Sequence, residues 1–320
     1  MDPVHHTVGI LNIYKPIGIS SRNVVDRLQS ITSGVKVGHA GTLDPLACGV
    51  LLVATGSATR LIPYLQAQPK HYRATFVLGM RSETDDLEGP LFSMDCEPLP
   101  DRETVERTLR EFVGPIKQRP PCYSAVHING VRAYQRARRG ESVEPEPKWV
   151  EIFEIKLLKF CVIAECQAPV RQDMVGKIEL QLDIHCAKGT YIRSVSRDLG
   201  DRLGCGAVMT ALERRAIGNF EISGSTVLAA LGEEDWKTRL SPPVSAVPHL
   251  SHVAVNSEQK SRVICGLPIL KWVRVNRNEG WDGFENGEEL GVLYKKELLA
   301  IAKFHEETQQ LLPRRVFPVS

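Results

Sequence analysis

Three segments of this 320-residue chain alternate apolar and polar side chains at the two-residue period of a strand, which constrains the fold more than any other feature. They are residues 71–78, 150–160 and 178–185, and the last two predict a strand pair. Apolar runs at residues 9–14 and 49–55 predict buried strands, and helices intervene without a regular βαβ repeat. This irregular order predicts an α+β domain around a mixed, largely antiparallel sheet, and argues against a Rossmann or barrel fold.

Helices are predicted where apolar residues recur at helical spacing. Ser20 and Ser21 offer N-cap oxygens to the first helix, Asp101 caps an exposed amphipathic helix, and Gly204 ends the last one. The predicted helices cover residues 21–34, about 59–66, 102–112 and 191–203. They lie between the predicted strands, as an α+β arrangement requires.

The character of the sequence changes near residue 240. A proline-rich connector, SPPVSAVPHL, precedes short apolar segments that alternate with Gly, Asn and Glu turns. This pattern predicts a small β-rich module after a larger first domain. A packing appendage and an RNA-docking module are equally compatible with it.

Composition and missing motifs exclude several classes of function. The net charge of +2 neither demands nor excludes a polyanionic partner, because the distribution of charge decides binding. No apolar run of about 18 residues and no signal peptide occur, so we expect a cytoplasmic protein that does not span a membrane. The eight cysteines form no CxxC pair, and GxGxxG after a strand, GxxxxGK[ST] and HExxH are absent, so we expect no metal and no cofactor.

The segment GHAGTLDPLACG at residues 38–49 has the composition of a rigid turn. Gly38 and Gly41 permit backbone conformations closed to other residues, and Pro45 biases Asp44 toward an extended backbone. Judged on this dipeptide alone, Asp44 is more often a residue that closes a turn than a catalytic one.

This segment closely resembles the catalytic motif of the TruB family of pseudouridine synthases, which modify uridine 55 in the T loop of tRNA. Further segments resemble the family in the same order: GILNIYKPIGISSRNVV, KHYRATFVLG, TDDLEG, QRPPCYSAVHINGVRAYQRARRG and CAKGTYIRSVSRDLGDRLGCGAVMTALERR. The resemblance covers most of residues 9–220.

The resemblance implies a role for each matching residue. It implies Asp44 as the nucleophile, Arg193 paired with Asp44, and Tyr72 as the third catalytic residue. The substrate-binding residues that it implies are His39, Tyr191 and Leu212. His39 is expected to stack within the RNA and to transfer no proton.

The implied reaction explains why these residue types are needed. Isomerisation breaks the N1 glycosidic bond and rejoins the sugar to C5, and a carboxylate can assist by covalent attack at the base or at the sugar. A guanidinium close to Asp44 favours the ionised carboxylate that such an attack requires. The target base must leave the folded loop, and Tyr72 offers an aromatic surface to receive it.

A run of basic residues without acidic interruption lies between residues 130 and 140. Arg132, Arg136 and Arg139 fall at i, i+4 and i+7, which places them on one face if the segment is helical. The neighbours that extend this basic surface are Arg138, His127, Tyr134, Lys188 and Arg197. A phosphate-facing role is favoured over a solvated charged helix.

Two alternative functions were weighed against catalysis of this isomerisation. An RNA-binding protein that kept the fold but lost catalysis would lack Asp44, Tyr72 or Arg193, and all three are present. A glycosidase would need a second carboxylate about 5–10 Å from Asp44. Asp85 or Asp86 could supply it, although their spacing does not require it.

The resemblance also implies an architecture and a partner. Residues 1–240 are expected to form the pseudouridine synthase domain, with an RNA-clamping insertion at about 118–146, and residues 241–320 a PUA-like RNA-binding module. We expect a stand-alone bacterial enzyme that binds the T arm of tRNA as a monomer without a protein partner. The guide-RNA-dependent dyskerin type is the alternative within the family, and it carries a longer N-terminal extension.

Overall fold

A computed structural model describes residues 7–94, 96–124, 126–128, 130–137, 139–141, 143–164, 171–270, 272–275 and 283–317. Within these ranges, the structure contains no helix whose length and apolarity would suffice to cross a membrane. Two sheets account for most of the strands.

The ten described strands of the larger sheet lie within the first 230 residues. Strands β1 to β14 are, in chain order, Gly9–Lys15, Val37–His39, Ala47–Thr55, Lys70–Leu78, Met80–Ser82, Leu91–Ser93, Gly114–Gln118, His127–Ile128, Val131–Arg132, Lys148–Val162, Ile178–Cys186, Ala207–Ile217, Phe220–Glu221 and Thr226–Val227. The sheet order is β14-β1-β3-β12-β4-β11-β10-β7, with β2 beside β3 and β13 beside β12. Among the described strands of this sheet, the pairs β1–β14 and β3–β12 are parallel and the others are antiparallel. The prediction of a mixed, largely antiparallel sheet is confirmed.

Helices pack on both faces of this sheet, with α1 against Leu11 and Leu51 and the segment of α2 against Ile10 and Leu52. Helices α1 to α5 are Ser21–Ile31, Ile62–Ala67, Arg102–Arg110, Ala133–Ala137 and Ile192–Arg202. Leu109 of α3 and Val195 and Leu199 of α5 lie in one apolar cluster with Phe76 of β4 and Leu180 of β11. Burying such side chains stabilises the fold by about 1.5–3 kcal/mol each, so this cluster fixes α5 against the sheet.

The predicted N-caps of α1 and α3 are present. Ser20 accepts a hydrogen bond from the backbone N–H of Asn23, and Asp101 accepts one from Thr104. The helix predicted at residues 59–66 is a 3-10 turn, Gly56–Leu61, followed by the short α2. The paired strands β10 and β11 are antiparallel, as predicted.

A second, five-stranded sheet follows the proline-rich connector. Its strands β15 to β19 are Ser251–Ala254, Val273–Arg274, Glu289–Tyr294, Glu297–His305 and Gln310–Val316, and helix α6 is Ser257–Ile264. This β-rich module was predicted, although α6 was not, because α6 buries only Val263 and shows no apolar period. The boundary near residue 240 stays a prediction.

The second sheet packs directly against the first. Leu293, Leu298 and Ile301 share an apolar cluster with Leu61 and Tyr64. The Tyr64 hydroxyl donates to Glu289 over 2.7 Å and accepts from Arg315 over 2.8 Å. These contacts hold the module to the segment that contains α2.

Strand β12 was not predicted from the sequence, although it lies at the centre of the larger sheet. Its pairing with β4 is interrupted twice, between Met209 and Ala211 and between Arg214 and Ala216. Each irregularity shifts the side-chain alternation by one residue, so the two-residue period is lost.

Candidate active site

Asp44 lies in the turn that connects β2 to β3. Gly41 adopts a φ of +103°, which other residues rarely adopt, as the sequence predicted. Gly38 belongs to β2 and does not have a positive φ, so that part of the prediction is wrong. An added Cβ at Gly38 would lie 2.9 Å from Ile62 Cδ1, so the tip of the Ile62 side chain would have to shift.

Hydrogen bonds from α1 and the preceding loop fix this turn. The buried Ser21 hydroxyl donates to the Leu43 carbonyl over 3.0 Å and accepts from the Leu43 N–H over 2.8 Å. Gly18 N–H donates to the carbonyl of Pro45 over 2.8 Å. The peptide groups on both sides of Asp44 are therefore held.

Arg214 of β12 also holds the turn around Asp44 in place. Its buried guanidinium donates to the carbonyls of Val50 over 2.7 Å, Gly41 over 3.1 Å and Thr42 over 3.4 Å. Gly49 allows β12 to approach, because an added Cβ would lie 2.3 Å from the Arg214 carbonyl oxygen. Sequence reasoning did not identify Arg214, since its bonding partners lie more than 160 residues away in the chain.

Arg193, in the first turn of α5, makes the central contact of the site. Its Nη2 lies 3.0 Å from Asp44 Oδ2, so the structure brings together the pair that the resemblance implied. The same guanidinium donates to the carbonyls of Thr84 and Tyr123 over 3.1 Å and 3.0 Å. The Arg193 side chain is 7% exposed and that of Asp44 35%, so the carboxylate is the accessible member of the pair.

Asp86 forms the other half of this network. Its Oδ2 lies 3.5 Å from Arg193 Nη1, and its side chain is only 1% exposed. The Thr84 hydroxyl and the Glu88 N–H donate to Asp86 Oδ1 over 2.5 Å and 3.0 Å. A carboxylate this deeply buried requires such partners, and Arg193 is therefore anchored from behind.

The same geometry disfavours the glycosidase alternative. Glycosidases need one protonated and one ionised carboxyl group on opposite sides of a substrate. Here the guanidinium of Arg193 contacts both Asp44 and Asp86, and the Asp86 side chain is only 1% exposed, so it does not face a substrate. Asp85, the other candidate, is paired with Arg197 over 2.9 Å.

Tyr72 and Leu212 form an apolar wall near the turn. Both are buried in one cluster that also contains Leu43, next to Asp44. Burial raises the pKa of Tyr72 above its usual value, while the nearby Arg214 opposes that rise. Tyr72 is therefore a neutral phenol at physiological pH and can offer an uncharged ring.

Tyr191 is the N-cap residue of α5, two positions before Arg193. The Gln118 side chain accepts from the Tyr191 N–H over 2.8 Å and donates to its carbonyl over 3.1 Å. Burial raises the pKa of Tyr191, and the charge of Asp44 contributes to the same direction. The two tyrosines and the Asp44–Arg193 pair therefore share one region.

His39 lies at the end of β2 on the approach to the turn. Burial lowers its pKa, and the charges of Arg214 and Arg22 lower it further. The imidazole is therefore neutral near pH 7, which fits the expected stacking role.

The arginines of the basic segment do not share one helix face. Helix α4 ends at Ala137, Arg132 belongs to β9, and the exposed Arg139 lies beyond the helix. This prediction was wrong because the helical spacing was extended past the residues that form the helix. Arg138 and the side chains of Arg132 and His127 lie outside the described residues.

Acidic neighbours hold two of the predicted basic residues. Arg136 Nε lies 2.6 Å from Glu141 Oε2. Arg197 contacts Asp85 over 2.9 Å and Asp198 over 2.8 Å. The exposed Lys188 forms no ion pair with any residue in the described part of the chain.

Lys15 was missed by sequence reasoning although it is fully buried. Its Nζ donates to the carbonyls of Pro16 and Ile19 over 2.8 Å and 2.7 Å, and burial lowers its pKa to about 8. It thereby shapes the loop whose Gly18 holds Pro45. The Lys-Pro dipeptide in the sequence was the available signal.

Comparisons with known proteins match most of this chain to one family. Residues 29–192 match the TruB family pseudouridylate synthase (N terminal domain). A tRNA pseudouridine synthase B from Dehalococcoides mccartyi strain 195 is 42% identical over 82% of this chain and 83% of its own. Another from Prochlorococcus marinus strain NATL1A is 36% identical over 97% of each chain.

Solved structures share the fold. The structure of an H/ACA RNP bound to a substrate RNA containing 2′-deoxyuridine matches with a TM-score of 0.70 at 23% identity, over 100% of this chain and 92% of that one. A Cbf5-Nop10-Gar1 complex matches with a TM-score of 0.70 at 24% identity, over 100% and 86%. These likenesses extend over both sheets and confirm the predicted fold class.

Proposed function

This chain belongs to the TruB family of pseudouridine synthases, and from that membership we propose that it converts uridine 55 in the T loop of tRNA to pseudouridine. The curated relatives are named as tRNA enzymes, which supports tRNA as the substrate. The proposed enzyme binds the T arm as a monomer, without a cofactor or a protein partner.

The observation that carries this proposal is the chain of contacts from Asp86 through Arg193 to Asp44. Arg193 places a positive charge 3.0 Å from the accessible carboxylate of Asp44 and fixes its direction. Because Asp86 and two carbonyl groups hold the guanidinium, the site is ordered before substrate arrives, and little reorganisation accompanies the reaction.

The reaction follows from this arrangement. Asp44 attacks the flipped uridine as a nucleophile, at the base or at the sugar, and the bond between N1 and C1′ breaks. The bond between Asp44 and the substrate breaks again before the product leaves, so the carboxylate is regenerated. The detached base rotates, C5 bonds to C1′, and the hydrogen on C5 is lost as a proton while N1 gains one. Residues that retain the base are needed throughout, because a lost base would leave an abasic site.

The wall beside Asp44 supports the retention of the base. Tyr72 and Leu212 provide apolar surface, and Tyr191 is fixed by Gln118 at the edge of the same region. Stacking on an aromatic ring contributes about 1–3 kcal/mol per base, which offsets much of the cost of removing the uridine from its loop. His39 is proposed to stack within the opened loop.

We propose that residues outside the chemical site bind the RNA. The insertion at about 118–146 supplies Arg132, Arg136 and Arg139, and Lys188 lies on the loop before α5. The remaining proposed boundaries are residues 1–240 for the catalytic domain and 241–320 for a PUA-like RNA-binding module.

The variant Asp44→Asn tests the assignment, because it keeps the shape of the side chain and removes its charge. We expect no turnover with unmodified tRNA, measured as release of the C5 hydrogen, and binding within about tenfold of the original protein, a difference of roughly 1.4 kcal/mol. The matched control is Asp26→Asn, an exposed carboxylate paired with Arg22, which should leave turnover unchanged. Substantial turnover by Asp44→Asn would refute the role of Asp44.

A further inference from the structure

The hairpin between β17 and β18 has an unusual turn. Tyr294 pairs with Glu297, so only Lys295 and Lys296 form the loop. Their φ angles are +50° and +71°. Two-residue hairpins with positive φ at both positions strongly prefer Asn-Gly or Asp-Gly, because side chains with a Cβ are strained there.

The backbone strain at Lys295 and Lys296 could be avoided by other residues. An Asn-Gly pair would fit the same backbone without penalty. Strained backbone of this kind persists where surrounding structure holds it, and it is concentrated at functional positions. The side chains themselves therefore need an explanation.

These two lysines belong to a larger basic and aromatic patch. Lys260 of α6 places Nζ 4.7 Å from the centre of the Tyr294 ring, and Lys295 places Nζ 5.4 Å from it. The Tyr294 hydroxyl lies 3.3 Å from the hydroxyl of Ser257. The hydrogen bond from Ser257 and the charges of Lys295 and Lys260 lower the pKa of Tyr294. Two cations, Lys260 and Lys295, are thus gathered around the Tyr294 side chain, and Lys296 follows Lys295 in the turn.

The charges at the tip are available to a partner. Lys295 and Lys296 are exposed, and neither forms an ion pair with a carboxylate anywhere in the described ranges of the chain. Glu297 follows them directly in the sequence. By contrast, Lys156 and Lys159 of β10 are both paired with glutamates, over 2.6 Å and 2.9 Å.

The hairpin is also fixed relative to the catalytic sheet. Leu293 and Leu298, which flank the tip, pack in the cluster that contains Leu61 and Tyr64 of the first domain. Cations on a fixed support can match the regular spacing of phosphates with little loss of conformational entropy. A flexible basic tail would lack this advantage.

We propose that the patch formed by Tyr294, Lys295, Lys296 and Lys260 binds the phosphate backbone of the RNA substrate, so that the hairpin extends the footprint beyond the catalytic site. This inference rests on the proposed function, since it takes the same RNA as the partner. Phosphates of RNA fit better than an anionic membrane surface, because the patch has no apolar side chain at its tip to insert.

The variant Lys295→Asn/Lys296→Gly tests the proposal, because it removes two charges and relieves the turn at once. We expect its melting temperature to rise by about 2 °C or more, while its affinity for unmodified tRNA falls. The slope of log affinity against log salt should decrease by about two, since each phosphate contact contributes about 0.9. On going from about 50 to about 200 mM salt, the variant should lose roughly tenfold less affinity than the original protein.

Two matched variants separate the patch from general charge effects. Lys295→Arg/Lys296→Arg keeps the charges and should keep the salt slope. Lys156→Gln/Lys159→Gln removes two charges elsewhere and should also leave the slope unchanged. An unchanged slope in the Asn-Gly variant, or an equal decrease in the β10 variant, would overturn the proposal.

Separate measurements distinguish the inference from the proposed function. Formation of pseudouridine by the original protein reports on the function, whereas the salt slopes report on the patch. An active enzyme with an unaltered slope refutes only the patch. Binding of vesicles containing phosphatidylserine through these lysines, with no change toward tRNA, would assign the patch to a membrane surface instead and overturn it as an RNA contact.

Discussion

The turn around Asp44 and the segment around Arg136 are held in different ways. Asp44 contacts a buried guanidinium, and its neighbours bond to the buried side chains of Ser21 and Arg214. Arg136 contacts Glu141, and both of these side chains are partly exposed to solvent. Exposed pairs contribute only about 0–1 kcal/mol, whereas breaking a buried pair costs about 3–5 kcal/mol.

The difference corresponds to two tasks. A nucleophile must be held close to its reacting position, because small displacements cause large losses of rate. A phosphate contact tolerates adjustment, since its attraction is long-ranged and weakly directional. Under the proposed function, buried networks serve the chemistry and exchangeable surface pairs serve RNA binding.

The largest effect is expected for Arg193→Met. It leaves the buried Asp86 without its cation, so the free energy of unfolding should fall by about 3–5 kcal/mol and turnover should be lost. Urea unfolding and the C5 hydrogen release assay measure the two effects. Arg136→Met is the comparison and should change stability by less than about 0.5 kcal/mol. Similar stability losses in both variants would remove the contrast.

A smaller effect is expected for Ser21→Ala. The change leaves the N–H and carbonyl of Leu43 without their partner, and an unsatisfied buried group costs about 1–3 kcal/mol. Turnover should fall with stability, because the turn around Asp44 loosens. Ser30→Ala, which removes an exposed hydroxyl bonded to the Arg27 carbonyl, should have little effect on either quantity. Equal behaviour of the two serine variants would show that Ser21 does not position the turn.

Arg136→Gln should affect binding and leave the folded state unchanged. Loss of one phosphate contact should reduce the slope of log affinity against log salt by about one. Between about 50 and about 200 mM salt, the variant should then lose roughly threefold less affinity than the original protein. Filter binding of unmodified tRNA measures the slope. Arg102→Gln removes an arginine with the same kind of glutamate partner on α3 and should not change the slope. If Arg136→Gln has the same salt slope as the original protein, Arg136 makes no phosphate contact and is a solvated side chain.

The smallest effect is expected for Glu141→Gln. Removing this carboxylate releases Arg136 for the RNA, and an exposed pair contributes about 0.2–1 kcal/mol. Affinity for tRNA at low salt should therefore rise by up to about fivefold. Glu106→Gln, which releases Arg102, is the control and should leave affinity unchanged. Weaker binding by Glu141→Gln would mean that Glu141 orders Arg136 for the RNA and does not compete with it.

Local signals allowed much of the fold to be predicted. Strand alternation and helix capping depend on neighbours in the sequence, so β4, β11 and the caps of α1 and α3 could be predicted. Strand β12 could not, because its irregular pairing with β4 breaks the period.

The candidate site divides in the same way. The pairing of Asp44 with Arg193 came from the family motif and is present in the structure, whereas the catalytic roles stay predictions. The contact of Asp86 with Arg193 joins residues more than 100 positions apart, and so does the contact of Arg214 with Val50. No local pattern in the sequence reports such pairs. Arg132 and Arg139 show the opposite error, since a local period was extended beyond a five-residue helix.

The most direct test of the central claim is to map pseudouridine in an unmodified tRNA transcript by carbodiimide-blocked reverse transcription. We predict a single new stop at uridine 55 after incubation with the original protein. The stop should be absent after incubation with Asp44→Asn. A stop at another position, or one that persists with Asp44→Asn, would contradict the account.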